Sequence, residues 1–391
     1  MRTARFLPVA LLSVLLLAAC DSVSPDAGET PITSQSLSRL SDARGGVTET
    51  YIVVFKEGVS DAPGLTRRLS GGTAEHVYAN TIKGFAKRMS PQAAEALTRN
   101  PNVAYVERDQ PVALAPPPGK GPGSGGDGGS GGSSQTTPYG ITRVNGGVSG
   151  AGLRACVIDS GVDLDHPDLN VDVSASRTFI TSGKDSRSAD DGNGHGTHVA
   201  GTIGALDNST GVIGVAAGAT IVGIKVLDSR GSGSYSAVIA GVDYATTSAA
   251  NCTVANMSLG GPVSQALDDA VLAAAASGTT FVLAAGNESD DANNHSPARA
   301  GGVSATDNVY SISAIDSYDR FASFSNFGSA VAYAAPGVAV TSTWKGGGYN
   351  TISGTSMASP HAAGVLLLGS ARTSGAAVND PDGSADPVIV H

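Results

Sequence analysis

The sequence predicts an α/β fold, a mainly parallel sheet flanked by helices on both faces, preceded by a small α+β domain. Three observations carry this. Short apolar runs at residues 155–158, 220–226, 253–257, 280–284 and 309–312 alternate with small-residue stretches of helical length at 195–204, 235–247, 263–276 and 355–369. Unbroken apolar strands between helices are strands buried on both faces, which means a parallel sheet. Ahead of them, residues 49–115 hold a strand run at each end with one short helix between. The two parts are separated at 116–133, where Gly and Pro dominate.

Taken in order, Arg2 and Arg5 precede an apolar run, Phe6 to Ala19, that is shorter than the ~20 residues needed to span a bilayer. Residues 1–19 therefore read as an export signal. The ending Leu17-Ala18-Ala19-Cys20 resembles a bacterial lipobox, in which the cysteine is lipidated and becomes the new N-terminus; an ordinary cleaved signal with an incidental Cys20 is the alternative. Residues 20–48, rich in Ser, Thr, Asp and Gly, form a tether. Tyr51-Ile52-Val53-Val54-Phe55 is a strand stopped by Lys56-Glu57-Gly58, and Val103 to Glu107 is another. Between them a helix starts with Ser90 as cap and Pro91 at its first position. Nine Gly and four Pro between 116 and 134 cannot form a core. As a coil, that linker spans roughly 24 Å.

Composition narrows the function classes. Residues 134–391 carry 11 basic and 22 acidic side chains, against 13 and 12 in residues 1–133. An acidic main body excludes a nucleic-acid surface. All but one of those 22 acids are Asp, the exception being Glu288, and an Asp-rich, loop-rich body suits calcium. Three cysteines cannot make a disulfide scaffold.

In parallel sheets functional groups gather at the carboxyl ends of strands. Asp159 ends the run Ala155-Cys156-Val157-Ile158; alone it is either a turn former or a buried partner for a base. His195 lies in Gly194-His195-Gly196-Thr197-His198 at a helix start. His195 and His198 also invite a zinc reading, but a zinc-protease helix needs His-Glu-x-x-His, and no Glu occurs between residues 108 and 287. Ser356 sits in Gly354-Thr355-Ser356-Met357-Ala358-Ser359-Pro360, where a sharp turn enters a helix. Each residue singly is more often structural. Together they supply a nucleophile, its base and the carboxylate that orients the base.

The order Asp159, His195, Ser356 and the words around them closely resemble the subtilisin/proteinase K family, the subtilases: Val157-Ile158-Asp159-Ser160-Gly161, the segment from His195 to Thr202, and the segment from Gly354 to His361. The resemblance covers nearly all of residues 134–370 and implies a serine endopeptidase whose substrates are polypeptides. It implies that Asn287, in Ala284-Ala285-Gly286-Asn287, donates to the oxyanion. Ser258-Leu259-Gly260 and Gly231-Ser232-Gly233 would hold an extended peptide between them as an added strand. Leu259, Ala284, Ala285 and Gly286 would line a small apolar primary pocket, with Glu288 at its rim admitting Lys or Arg modestly. A structural Ca²⁺ site is implied from the side chains of Gln135, Asp168 and Asn208 with the carbonyls of Leu206, Thr210 and Val212. Residues 51–112 resemble the subtilase propeptide, an intramolecular inhibitor and folding template, with a first cut near 112–115. Cys156 and Cys252 start strands that this fold sets side by side; a disulfide and two buried thiols both stay open. Only 35 residues follow Ser356, fewer than a subtilisin carries; the usual last helix is not expected, and residues 379–383 read as loop. A monomeric, exported enzyme attached to the membrane only through its N-terminus is expected. The alternative is a catalytically silent surface protein that binds peptides in the same groove.

Overall fold

Residues 48–114, 134–302, 308–369 and 371–391 are described by the computed structural model. The export signal, Cys20, most of the tether and the Gly/Pro linker lie outside them. Among the described residues, no helix is long and apolar enough to cross a membrane.

The first part is a four-stranded antiparallel sheet, Glu49–Phe55 and Gly84–Met89 flanked by Val103–Arg108 and His76–Tyr78, with helices Ala62–Ser70 and Pro91–Thr98. The second helix begins as its sequence dictates, with Ser90 Oγ accepting from the Ala93 N–H and Pro91 at the first turn. The first helix and the two strands between 76 and 89 were not read from the sequence. A three-residue strand, a six-residue strand interrupted by Lys87 and Arg88, and an Arg-containing helix give too little periodicity. Alternation fixes the packing: Val53 and Phe55 point into this unit's own core, while Ile52 and Val54 point out into the core of the larger unit.

The larger unit is built on a ten-stranded sheet. Its central run, in spatial order, is Val331–Pro336, Val309–Ile315, Thr280–Ala284, Val254–Met257, Arg154–Asp159 and Thr220–Lys225, all parallel. Alternate residues of one strand enter different cores, Cys156 and Ile158 on one face and Ala155 and Val157 on the other, which is the double burial the apolar runs require. The first core lies under helices Tyr235–Ala245 and Gln265–Ala276, the second under His195–Gly204 and Thr355–Leu368. From Arg154–Asp159 the chain steps one way to Thr220–Lys225, then returns to the other side at Val254–Met257. The strand order therefore switches where Asp159 and Ser258 emerge, the place such sheets put their sites.

Strands at 331–336, 340–344 and 348–352 are additional to those the sequence suggested; the first is a Val-Ala-Tyr-Ala-Ala run that the reading passed over, and the other two are rich in Ser, Thr and Gly and carry no apolar run. The C-terminal segment also departs from expectation. Residues 379–383 do form a turn, but Arg372–Ala376 and Pro387–Val390 pair as strands on either side of it. The last strand joins the parallel sheet beside Val331–Pro336, through Ala334 and Val388. A strand thus covers the sheet edge where a helix was missed.

Cys156 and Cys252 are joined by a disulfide, with Cα atoms 5.6 Å apart. It ties the Asp159 strand to the start of its neighbour, where Ala255 pairs with Cys156. The bridge spans 96 residues of sequence. In the chain-entropy account a loop of that size contributes about 4–5 kcal/mol. We expect the Cys156→Ala/Cys252→Ala double variant to melt about 5–15 °C lower by calorimetry; an unchanged midpoint would show that the bridge constrains nothing.

Candidate active site

Three parallel strands deliver the site from their carboxyl ends: Asp159 ends one, Ser258 follows the next, and Asn287 follows the third. The Asp159 side chain has no exposure. A carboxylate so placed must be met by donors. Its Oδ1 accepts from the Ser160 N–H, and both of its oxygens lie 2.9 Å from Nδ1 of His195. His195 is the first residue of its helix and keeps 12% of its side chain exposed. Burial pushes the imidazole pKa down, but the charge and hydrogen bond of Asp159 outweigh it, and the net shift is upward. His198, by contrast, is fully buried with Nε2 3.0 Å from the Val340 carbonyl, and burial lowers its pKa to about 3. The two imidazoles thus have separate partners and do not share a metal-facing position.

The His195 helix has a glycine at its cap. Gly194 takes φ +112°, and a Cβ there would lie 2.4 Å from the Trp344 ring, so no capping side chain fits. Asp191 supplies the missing acceptor. Its carboxylate takes N–H bonds from Asn193, Gly194 and Thr197, and hydroxyl bonds from Ser160 and Thr197. Lys225, wholly buried beside Asp159 in the sheet register, donates from Nζ to the carbonyls of Ser160 (2.6 Å) and Asp190 (3.2 Å). Asp191, Ser160 and Lys225 escaped the sequence reading. Asp191 had a signal, an acid just upstream of a cap that lacks a side chain; Lys225 looked like the end of a strand.

Ser356 is half-buried at the second position of its helix, where backbone N–H groups have no partner within the helix. Its Oγ donates to the Ser258 carbonyl at 3.1 Å, and no hydrogen bond joins it to His195 among the described residues. Apo sites often show this slack. The Ser258 hydroxyl in turn donates to the Ser356 carbonyl, and the Asn256 amide donates to that hydroxyl. Asn287 Oδ1 accepts from both the N–H and the hydroxyl of Thr355, at 2.8 and 3.1 Å. That commits the amide oxygen, and leaves Nδ2 as the end free to serve a ligand. Thr355 was read only as part of a motif; its work here is to orient Asn287.

Beside Ser356 lies a cavity lined by Ser258, Leu259, Gly260, Ala284, Ala285, Gly286, Asn287 and Glu288, as much polar as apolar, with Ala113 and Leu114 of the first unit also on its wall. Pro111–Ala113 runs antiparallel to Ser232–Ser234, pairing Ala113 with Ser232 and Val112 with Gly233, and the Leu114 N–H donates to the Gly231 carbonyl at 2.9 Å. The groove is therefore filled by the chain's own segment in extended form. Among the described residues that segment's ladder is with the 231–234 wall; Ser258, Leu259 and Gly260 line the pocket without joining it.

The same unit grips the helices behind the groove. Glu107 accepts from the Ala266 N–H and the Ser264 hydroxyl at the start of one helix, and Asp109 from the N–H and hydroxyl of Ser236 at the start of the other. Carboxylates at helix N-termini meet both free donors and the positive end of the dipole. Asp243 reciprocates, accepting from the N–H groups of Asn80 and Thr81, each at 2.8 Å.

Five of the residues expected to hold calcium fall into two hydrogen-bonded groups. Gln135 Nε2 lies 2.6 Å from the Leu206 carbonyl and 3.3 Å from that of Val212; Asn208 Nδ2 lies 2.8 Å from Asp168 Oδ1. Among the described residues no hydrogen bond ties the Thr210 carbonyl to the cluster; its N–H and hydroxyl bond Asn208 Oδ1 instead. Each amide offers either its nitrogen or, turned over, its oxygen to the same point. Burial raises the Asp168 pKa, a carboxylate short of counter-charge. A cluster of uncharged oxygens around one such carboxylate fits Ca²⁺, although no group of three His, Cys, Asp or Glu suited to a metal occurs among the described residues.

Comparison with known proteins decides the family. Residues 150–376 match the subtilase family model. The chain belongs to the subtilase family. Residues 50–115 match the model for peptidase inhibitor I9. Proteinase R of Parengyodontium album is 37% identical, over 86% of this chain and 84% of that protein. Alkaline serine exoprotease A of Vibrio alginolyticus is 39% identical over 82% of this chain, which spans only 60% of that relative's length. The crystal structure of a cold adapted subtilisin-like serine proteinase superposes with TM-score 0.56 at 41% identity, covering 64% of this chain and 96% of the other. This subtilase is accordingly a serine peptidase with a subtilisin-like fold and an inhibitor-type unit in front.

If the helix contacts are what holds that inhibitor unit, Glu107→Ala and Asp109→Ala should each destabilise the uncut chain by about 1–2 kcal/mol in urea unfolding. Loss of neither would assign the grip to the apolar contacts alone.

Proposed function

We propose that this subtilase is an exported endopeptidase that cuts peptide bonds with Ser356 as nucleophile, His195 as base and Asp159 as orienting carboxylate. It is made as a precursor that its own first domain, residues 49–115, holds inactive. The observation that carries this reading is the extended segment 111–114, laddered into the groove with Ala113 and Leu114 on the wall of the cavity that Ser356 lines. A segment placed as a substrate would be is the natural inhibitor of a peptidase and its first target.

In this reading Ser356 Oγ leaves the Ser258 carbonyl and gives its proton to His195 Nε2 as it attacks. Asp159 fixes the imidazole with Nδ1 as donor and stabilises the cation that forms. The Asn287 amide, aimed by Thr355, and the free N–H at the helix start receive the oxyanion; losing one such donor typically costs about 10²–10³ in turnover. Gly231, Ser232 and Gly233 take the substrate main chain as they take 112–114, and Ser258, Leu259 and Gly260 form the opposite wall once the pocket is filled by a substrate side chain. No triad residue is missing, so nothing favours a silent homologue.

Gln135, Asp168 and Asn208, with the carbonyls of Leu206, Thr210 and Val212, would hold a structural Ca²⁺, which would supply counter-charge to Asp168 and no chemistry. A relative from Thermus is named an extracellular serine proteinase, which agrees with the export signal read in residues 1–19. Cys20 would carry the lipid. Since the linker lies between Cys20 and the peptidase domain at 134–391, any cut near or beyond Leu114 frees the enzyme from its anchor. A single acyl chain holds a protein only marginally, several hold it firmly.

Ser356→Ala should leave a full-length precursor that fractionates with membranes, whereas the wild type should yield a soluble fragment lacking residues 49–114. A Ser356→Ala chain that matures when produced alone would remove the nucleophile assignment. Chelation should lower the melting midpoint, and Asp168→Ala should abolish the difference. Binding at 1,000 times the dissociation constant contributes about 4.1 kcal/mol. A melting curve indifferent to chelator would take the ion out of the account.

A further inference from the structure

The wall that takes the extended segment 111–114 continues a tight turn, and the shape and the placement of that turn come from different groups. Asp228 gives the shape. Its Oδ1 accepts from the N–H groups of Arg230 at 2.8 Å and Ser232 at 3.0 Å, and its carbonyl accepts from the Gly231 N–H at 2.8 Å. None of these bonds reaches beyond the turn. Its tip, Ser229, is where the turn meets the segment leading to His195. The Ser229 carbonyl lies 3.4 Å from Asn193 Nδ2, and a Cβ on Gly192 would stand 2.7 Å from the Ser229 Cβ, so no side chain fits between them. The N–H and hydroxyl of Ser229 also face the carboxylate of Asp185, on the short 3₁₀ helix Lys184–Ser186. Asp185 has a second partner in Lys225, whose Nζ is 3.4 Å from its Oδ1. Burial alone would raise the Asp185 pKa, but the Ser229 N–H and the Lys225 charge hold it below the usual value.

We infer that Asp185 is a positioning residue: by holding Ser229 against Lys225 it keeps the 231–233 wall in register with Asp159, His195 and Ser356. This rests on the peptidase reading above and adds to it a residue that touches no substrate. Lys225 makes the anchor rigid. It is wholly buried, Asp185 is its one charged partner among the described residues, and an ammonium sealed from water needs that counter-charge. Its other bonds go to the carbonyls of Ser160 and Asp190, the backbone beside Asp159 and Asp191. One carboxylate therefore joins the tip of the substrate-holding turn to the frame of the catalytic pair. Without it Asp228 would still fold the turn, but the tip would keep only its packing on Gly192 and the long contact with Asn193. The wall would then have to be ordered each time a peptide pairs with it, and a substrate that does not pair with it would be spared.

The test uses the processed enzyme at about pH 9, where the imidazole of the base is neutral, and two substrates. One is a peptide with about four residues before the cut, enough to pair as segment 111–114 does. The other is p-nitrophenyl acetate, which has no main chain to pair. In Asp185→Ala the KM for the peptide should rise about tenfold, the worth of one main-chain hydrogen bond, while kcat stays within about twofold. Hydrolysis of the acetate should stay within about twofold of the wild type. Asp185→Asn still offers Ser229 an acceptor but leaves Lys225 without its counter-charge, so its peptide KM should rise only about threefold. An unchanged peptide KM in Asp185→Ala overturns the proposal, and so does an equal loss on both substrates, which would mark a merely structural role. Where Asp185→Ala does not fold, the same comparison in Asp185→Asn decides. A wild type that cleaves neither substrate would instead overturn the peptidase reading, and this proposal with it.

Discussion

A carboxylate sealed from water at the end of a central strand is the constraint around which this molecule is arranged. A group so placed needs donors, and those Asp159 has are the Ser160 N–H and the imidazole that the site needs. Everything that fixes the imidazole then matters. Asp191 caps the helix that carries His195, Ser160 bridges that cap to the Asp159 strand, and Lys225 ties the two backbones together from the next strand. Removing any one leaves a buried polar group unpaired, so the network stands or falls together. The disulfide three residues before Asp159 pins the same strand from its other end.

The front unit meets this frame through groups that the larger unit leaves open. Two neighbouring helices start beside the groove, each with a serine cap of its own, and each receives a further carboxylate from the front unit. Between those carboxylates and the pocket runs the strand 111–113, so contact with the helix starts and occupation of the groove come from one continuous stretch, Glu107 to Leu114. A sheet whose pairings are mostly distant in sequence is slow to form. A partner that organises two of its helices and one edge of its groove at once reduces what has to be found by search.

Much of this was legible beforehand. The residues around Asp159, His195 and Ser356 name a family because three chemical roles in a fixed order are too specific to arise singly, and apolar runs gave five of the central strands. What stayed hidden depends on geometry that no local pattern encodes. That Ser356 Oγ rests on the Ser258 carbonyl is a rotamer. That Thr355 aims Asn287 depends on two segments 68 residues apart in sequence. Lys225 is an ordinary strand residue until the sheet register sets it beside Asp159. The strands between 340 and 352 lack apolar runs because they form a hairpin over the His195 helix, where Thr343 and Ser342 bond its carbonyls. The C-terminal pair was missed for a related reason: Arg372–Ala376 is mostly exposed and shows no buried face.

That C-terminal pair has a consequence for when the enzyme can exist. Its last strand lies against Val331–Pro336, and His391 donates its N–H to the carbonyl of Val144 while Asn145 reaches the carbonyl of His391. The first helix of the peptidase unit is thus stitched to residues made some 245 positions later. A nascent chain cannot close this seam while those residues are still inside the ribosome. Synthesis itself therefore imposes a delay: the front unit and most of the central sheet are made before the strand that covers the sheet edge.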